Sequence, residues 1–157
     1  RWVTGAEIVE VFAYGVGRGE DYFEKYDDSS EATAVLTLND GTLATLHLSR
    51  YNGGGYDVRM EVAGTKGTIA VGLDEHSALR SVEPGVDFPE GESFPWFYPR
   101  FQASYSAELA AFLAVAAREK DSPATVADAL EALYVCEALA RSRTEGRPVQ
   151  VAEIRNS

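Results

Sequence analysis

The chain has 157 residues, 45% hydrophobic and 25% charged, the size of one domain able to bury ~70% of the surface its unfolded form exposes, and the near-average composition excludes disorder. The net charge of −11 sets up a field that repels nucleic-acid phosphates and anionic lipid, which argues against nucleic acid and membrane surfaces as partners. A single cysteine, Cys136, excludes an internal disulfide or a multi-thiolate metal site, no apolar run approaches the ~20 residues that span a bilayer, and no basic-then-apolar leader is visible, so a cytoplasmic protein is expected.

Arg1-Trp2-Val3-Thr4-Gly5 lacks an initiator Met and reads as a helix finishing, with Gly5 as the left-handed residue that ends helices. The expectation is a chain cut from something upstream. Residues 7–14 (EIVEVFAY) are rich in β-branched and aromatic side chains and predict a strand. Residues 15–30 are glycine-rich and then acidic, without periodicity, and predict a long surface connection. Residues 32–38 and 42–50 flank Asn39-Asp40-Gly41, whose tolerance of positive φ predicts a hairpin.

Residues 56–63 alternate Val58, Met60 and Val62 against Arg59 and Glu61, then turn at Gly64-Thr65-Lys66-Gly67 into residues 68–71, which predicts a second hairpin. Residues 78–82 are read as an edge strand. Residues 83–99 hold four of the six prolines together with Phe88, Phe94, Trp96, Phe97 and Tyr98. An ordered aromatic loop is expected there, because such side chains in water would form a sticky patch.

From Phe101 the period changes. Phe101, Tyr105, Leu109, Phe112, Leu113 and Ala116 draw one helical stripe running to Lys120. Thr125 with Asp128 has capping-box spacing, and Val126, Ala129, Leu130, Leu133, Cys136 and Ala140 mark a second helix ending before Gly146. Residues 147–151 are short and extended around Pro148 and predict a last strand. The fold class is α+β: a mostly antiparallel open sheet with two longer helices covering one face and the other face available for oligomerisation. The first strand carries apolar residues on both parities, which requires cover on both sides.

Gly15-Val16-Gly17-Arg18-Gly19 after a strand has the glycines of a dinucleotide loop, but Glu20 follows, no amphipathic helix does, and Glu20, Asp21, Glu24, Asp27 and Asp28 would repel a pyrophosphate. It is read as a flexible loop. His47 and His76 lack a second ligand at zinc spacing. His47 is read as a packed or interface histidine sharing a face with Leu43 and Thr45, and His76 as part of a solvated turn. Asp27-Asp28, Glu90 and Glu92 are read as solvated loops, and no nucleophile elbow, phosphate loop or helical histidine pair is present. No catalytic, cofactor-binding or metal-binding residue is assigned.

The informative stretch is Ser49-Arg50-Tyr51-Asn52-Gly53-Gly54-Gly55-Tyr56-Asp57. Three glycines bring backbone close to something, while Arg50, Asn52, Tyr56 and Asp57 offer the directional donors and acceptors that polyols need. The plain alternative is a loop whose glycines solve φ requirements and whose Asp57 pairs with Arg59 or a neighbouring strand.

The order Trp2-Val3-Thr4-Gly5, Asp40-Gly41-Thr42, Ser49-Arg50, Gly55-Tyr56-Asp57-Val58-Arg59-Met60-Glu61-Val62 and Gly64-Thr65-Lys66-Gly67 resembles the C-terminal domain of the glucose-fructose oxidoreductase and inositol dehydrogenase (Gfo/Idh/MocA) family. Arg100-Phe101, Tyr105, Glu108-Leu109, Phe112, residues 128–133 and Gly146-Arg147-Pro148-Val149 extend the resemblance over nearly the whole chain.

That resemblance implies an N-terminal Rossmann domain binding NAD or NADP, absent from this sequence, and a C-terminal domain whose open sheet lines the substrate cleft and makes the oligomer interface. The family's catalytic lysine, and its histidine and aspartate on a preceding helix, match no residue here. Tyr56 and Asp57 match the family's Gly-Tyr-Asp segment near substrate, and Arg50 and Asn52 follow by position. Many relatives carry an aromatic residue where this chain has Gly54, which enlarges the pocket or loosens the loop.

The expected function is therefore the substrate-binding and oligomerisation domain of an NAD(P)-dependent sugar or polyol dehydrogenase, inactive in isolation and binding no cofactor itself. A homodimer or homotetramer through the sheet face is expected. The alternatives are a purely structural dimerisation module and a free-standing carbohydrate-binding domain.

Overall fold

Asn39-Asp40-Gly41 reverses the chain as its composition requires: Gly41 takes φ +86° and the Asp40 carboxylate accepts the Thr42 amide at 2.9 Å. On either side lie β2 (Glu31–Leu38) and β3 (Leu43–Ser49), paired antiparallel from Glu31↔Ser49 to Thr37↔Leu43. In this computed structural model, which describes residues 1–156, the hairpin belongs to the first of two compact units. That unit comprises Arg1–Tyr51 and the chain from Ala124 onward, and the second comprises Asn52–Pro123.

In the first unit β1 (Ile8–Val16) pairs antiparallel with β2 on one side and with the two-residue β6 (Val149–Gln150) on the other, giving the order β3-β2-β1-β6. One face of β1 packs under α3 (Val126–Glu145). Val11 is 1% exposed and joins Ala138, Val149 and Val151 in the core, with Leu36, Tyr134 and Leu139 packed against them. Each buried valine of this kind contributes ~1.5–3 kcal/mol.

The capping box opening α3 is complete, with Asp128 N–H donating to Thr125 Oγ1 and Thr125 N–H donating to Asp128, and Gly146 ends the helix at φ +65°. Fully buried Ser142 ties helix to sheet. Its hydroxyl accepts the Ala13 amide at 3.0 Å and donates to the Arg147 carbonyl at 2.6 Å, so one buried side chain satisfies two backbone groups.

After β6 the chain makes a short α4 (Val151–Arg155), capped by Glu153 accepting the Gln150 amide at 3.0 Å. Arg147 forks onto both Glu153 oxygens at 2.8 and 3.2 Å. This guanidinium, helped by the Gln150 amide, holds the Glu153 carboxyl down at about 2.

The second unit holds β4 (Met60–Gly64) and β5 (Gly67–Val71), a separate two-stranded antiparallel sheet, and α2 (Phe97–Ala116). The apolar stripe read from the sequence lies on α2 but is not buried: Phe112 is 64% exposed, and Leu109 and Leu113 are exposed as well.

The other face of the first unit's sheet is open. Tyr14, Val16, Val35 and Leu43 share it by register and are all exposed, Tyr14 at 61% and Leu43 at 70%.

Four local expectations need correction. Residues 78–82 form no strand, because the backbone is used otherwise: Ser81 N–H bonds the Phe88 carbonyl at 3.0 Å across the proline-rich loop. Residues 56–59 precede β4 rather than extending it. The connection 15–30 is partly ordered, since β1 runs to Val16 and a single turn, α1 (Asp21–Lys25), buries Phe23. Cys136 is exposed on α3 rather than lying on its packed face.

Candidate functional site

Of the four residues singled out for polyol contact, Asn52, Tyr56 and Asp57 lie on one loop of the second unit, and Arg50 belongs to the first. Arg50 follows β3, its amide bonding the Ser30 carbonyl at 2.7 Å and its residue exposed to solvent.

The loop begins as an Asx turn. Asn52 Oδ1 accepts the Gly54 amide at 3.0 Å and the Asn52 carbonyl accepts the Gly55 amide at 3.2 Å, while the Asn52 side-chain NH2 has no hydrogen-bond acceptor among the described residues. Two glycines then allow close approach. A Cβ on Gly54 would sit 2.5 Å from the Ala78 carbonyl oxygen, and Gly55, at φ +123°, presses on the Ser93 side chain. Position 54 is thus filled by backbone from residue 78, and no side chain fits there without moving that segment.

Segment 93–94 straps the loop in place. Ser93 Oγ donates to the Gly54 carbonyl at 2.5 Å, and the Tyr56 amide donates to the Phe94 carbonyl at 2.8 Å. The Tyr56 ring meets Phe101 edge-on, with centroids 6.1 Å apart. Asp57 is 16% exposed and is engaged by Arg59, whose Nε lies 2.9 and 3.0 Å from its two oxygens. The plainer of the two sequence readings, pairing with Arg59, is therefore realised. It does not exhaust Asp57, since a carboxylate has about four lone-pair sites and one N–H serves both oxygens.

His76 lies in a turn as expected and is partly exposed, but its ring has partners there: its Nδ1 donates to the Glu92 carbonyl at 2.8 Å and the ring packs on Phe94 at 4.7 Å. His47 lies on the open sheet face opposite Thr33, in line with Leu43 and Thr45 as its spacing requires.

The glycine run 15–19 does not have the form of a pyrophosphate cradle. The chain itself fills it: Gly15 abuts the Ser29 and Arg143 side chains, Gly17 lies against Phe23 and the Asp28 carbonyl, and Gly19 packs on the Tyr51 ring. A nicotinamide dinucleotide therefore does not fit the residues at this motif.

A cavity of about 410 Å3 lies in the first unit against the α3 side of β1, β2 and β3, floored by Ala13, Ala34, Leu46 and Leu139 and rimmed by Asp27 and Arg143. None of the four polyol candidates lines it. Among the described residues no cluster of three or more His, Cys, Asp or Glu could hold a metal ion, and no helix is long and apolar enough to cross a membrane.

The four-stranded antiparallel sheet under α3 in one unit and the separate hairpin with α2 in the other make the fold α+β. The model of the C-terminal alpha/beta domain of the oxidoreductase family (GFO_IDH_MocA_C) matches residues 1–151, and the chain belongs to that family.

It is 36% identical over 148 residues to the myo-inositol dehydrogenase Hyg17 of Streptomyces leeuwenhoekii, covering 93% of this chain and 44% of that protein. It is 31% identical over 154 residues to the scyllo-inositol 2-dehydrogenase (NAD(+)) of Bacillus subtilis, covering 96% of this chain and 44% of the relative. The fold matches the crystal structure of scyllo-inositol dehydrogenase from Lactobacillus casei with bound NAD(H) and scyllo-inositol, at TM-score 0.81 and 29% identity, over 97% of this chain and 44% of that one. The chain thus spans under half the length of these relatives.

Proposed function

We propose that the chain is the substrate-side domain of an NAD(P)-dependent dehydrogenase acting on inositol or a similar polyol, with the loop of Asn52, Tyr56 and Asp57 contacting the substrate. The observation that carries this is the loop itself. Glycines 54 and 55 press its backbone against residues 78 and 93–94, which holds an amide, a phenol and a carboxylate on one short, ordered segment. A polyol offers each hydroxyl as both donor and acceptor, so the Asp57 oxygens and the Tyr56 hydroxyl can take its protons while the Asn52 amide donates.

Those groups orient the ring rather than oxidise it, and orientation is where a domain of this kind contributes to rate. The filled glycine run 15–19 supports placing the nicotinamide outside this chain, in the part of the relatives' length that the match does not cover.

A second role rests on a separate observation. The open sheet face exposes Tyr14, Val16, Val35 and Leu43, large apolar side chains uncovered on one face as at an interface, and self-association through it into a dimer or tetramer is the reading it supports.

Calorimetry of the 157-residue chain with NAD(H), NADP(H), myo-inositol and scyllo-inositol tests the first reading. No nicotinamide binding and only weak inositol binding are expected. Tight nicotinamide binding would place the cofactor on this chain and overturn the assignment. Tight inositol binding without nicotinamide would instead make it a free-standing carbohydrate-binding domain.

A further inference from the structure

We infer that Arg100 is a positioning residue for the polyol loop, fixing Asp57 through the neighbouring main chain and Tyr56 through two aromatic rings. This rests on the reading of Asn52, Tyr56 and Asp57 as substrate contacts.

Arg100 lies in the first turn of α2, more than forty residues along the chain from the loop, yet its Nη2 donates to the Val58 carbonyl at 3.2 Å. Val58 is the residue directly after Asp57, so the guanidinium anchors the backbone from which the carboxylate projects. The same guanidinium lies 6.0 Å from the Phe94 centroid and 5.2 Å from the Phe101 centroid, within cation–π reach of both. These are the two residues that hold Tyr56, one through its carbonyl at 2.8 Å and the other edge-on through its ring.

The room for this arrangement is made by Gly72, which takes φ +82°. A Cβ there would stand 2.8 Å from Arg100 Nη2 and would also strike the Val58 carbonyl. Among the described residues no carboxylate lies within ion-pair distance of Arg100, so its charge is directed at the rings and the carbonyl. That use favours a planar fork over an ammonium, because only the guanidinium can stack on rings while donating sideways in its own plane.

Arg100 touches neither the Tyr56 hydroxyl nor the Asp57 carboxylate. It acts on where they sit. Three consecutive glycines at 53–55 would otherwise leave the loop many conformations, and a loop ordered before substrate arrives binds it at lower entropic cost.

The test compares Arg100→Met and Arg100→Lys with Asn52→Ala and Asp57→Asn in the complete dehydrogenase containing this domain, with myo-inositol and NAD varied in turn. Arg100→Met should raise the inositol KM on the order of tenfold with the NAD KM unchanged, and Arg100→Lys, which keeps the cation but loses the fork, should fall between it and the unaltered enzyme. In the 157-residue chain, hydrogen exchange of the Tyr56 amide should quicken in Arg100→Met while the β4–β5 amides keep their protection.

If Asn52→Ala and Asp57→Asn raise the inositol KM and Arg100→Met does not, the positioning role is overturned and the loop reading stands. If Asn52→Ala and Asp57→Asn leave the inositol KM unchanged, the loop reading fails and the positioning role falls with it. Loss of protection in β4–β5 together with Tyr56 would make Arg100 a general stabiliser of the unit and would also overturn the proposal.

Discussion

Arg59 and Asp57, two residues apart, form a bifurcated ion pair in which one guanidinium N–H, on Nε, serves both carboxylate oxygens at 2.9 and 3.0 Å. The pair orients Asp57 without using all its acceptor capacity. A hydrogen bond to a charged acceptor contributes ~1.5–3 kcal/mol, so Asp57→Asn should raise the inositol KM of the complete dehydrogenase roughly ten- to hundredfold. Arg59→Met, which leaves the oxygens present but unaimed, should raise it less. Steady-state kinetics with inositol varied decides this, and a larger effect at Arg59 than at Asp57 would mean that the carboxylate serves only the ion pair.

Ser142 is the buried latch between α3 and the sheet. Ser142→Ala leaves the Ala13 amide and the Arg147 carbonyl without the partners they have at 3.0 and 2.6 Å, a loss of ~1–3 kcal/mol for buried groups. Urea unfolding should show a lower midpoint with little change in slope. An unchanged midpoint would mean that both backbone groups find other partners.

Acid should weaken the C-terminal hook. The carboxyl of Glu153 is held at about 2, against an ordinary value of 4.5, chiefly by the Arg147 side chain and then by the Gln150 amide. A carboxyl whose folded value is depressed contributes stability that is present above the ordinary value and is lost as pH falls from there through the folded one. Between pH 4.5 and pH 2, the unaltered chain should therefore lose more stability than Glu153→Gln, and parallel curves in denaturant titrations across that window would contradict the expectation.

The open sheet face gives a fourth expectation. Leu43→Glu and Tyr14→Lys place charge on a surface where both residues are exposed in the single chain, and a charge buried without a partner at an interface is strongly unfavourable. Sedimentation at high concentration should show self-association of the unaltered chain and dissociation of both variants, with unchanged circular dichroism. A monomeric unaltered chain would remove the oligomerisation role.

What could be read from residues alone was what residues decide locally. Asn39-Asp40-Gly41 and the Thr125–Asp128 box carry their own turn and cap chemistry, and both stand where their spacing put them. The single turns α1 and α4 are not legible, because each is too short for a periodic pattern: α1 is held by the burial of Phe23 and α4 by the fork of Arg147 onto Glu153, six residues away.

Residues 78–82 read as an edge strand, yet their partner is a proline-rich loop rather than a strand edge. At the candidate site, composition marked residues 50–57 but could not choose between substrate contact and pairing with Arg59 for Asp57. It also could not show the Ser93, Phe94 and Arg100 straps, which lie some forty residues further along the chain.

The most direct measurement of the central claim is the pair of Michaelis constants, for inositol and for NAD, in the complete dehydrogenase with Tyr56→Phe. Removing one hydroxyl from the loop should raise the inositol KM several-fold, roughly the ~1 kcal/mol of a neutral hydrogen bond, and leave the NAD KM where it was. An unchanged inositol KM, or a shift confined to NAD, would contradict the assignment of this loop to the substrate.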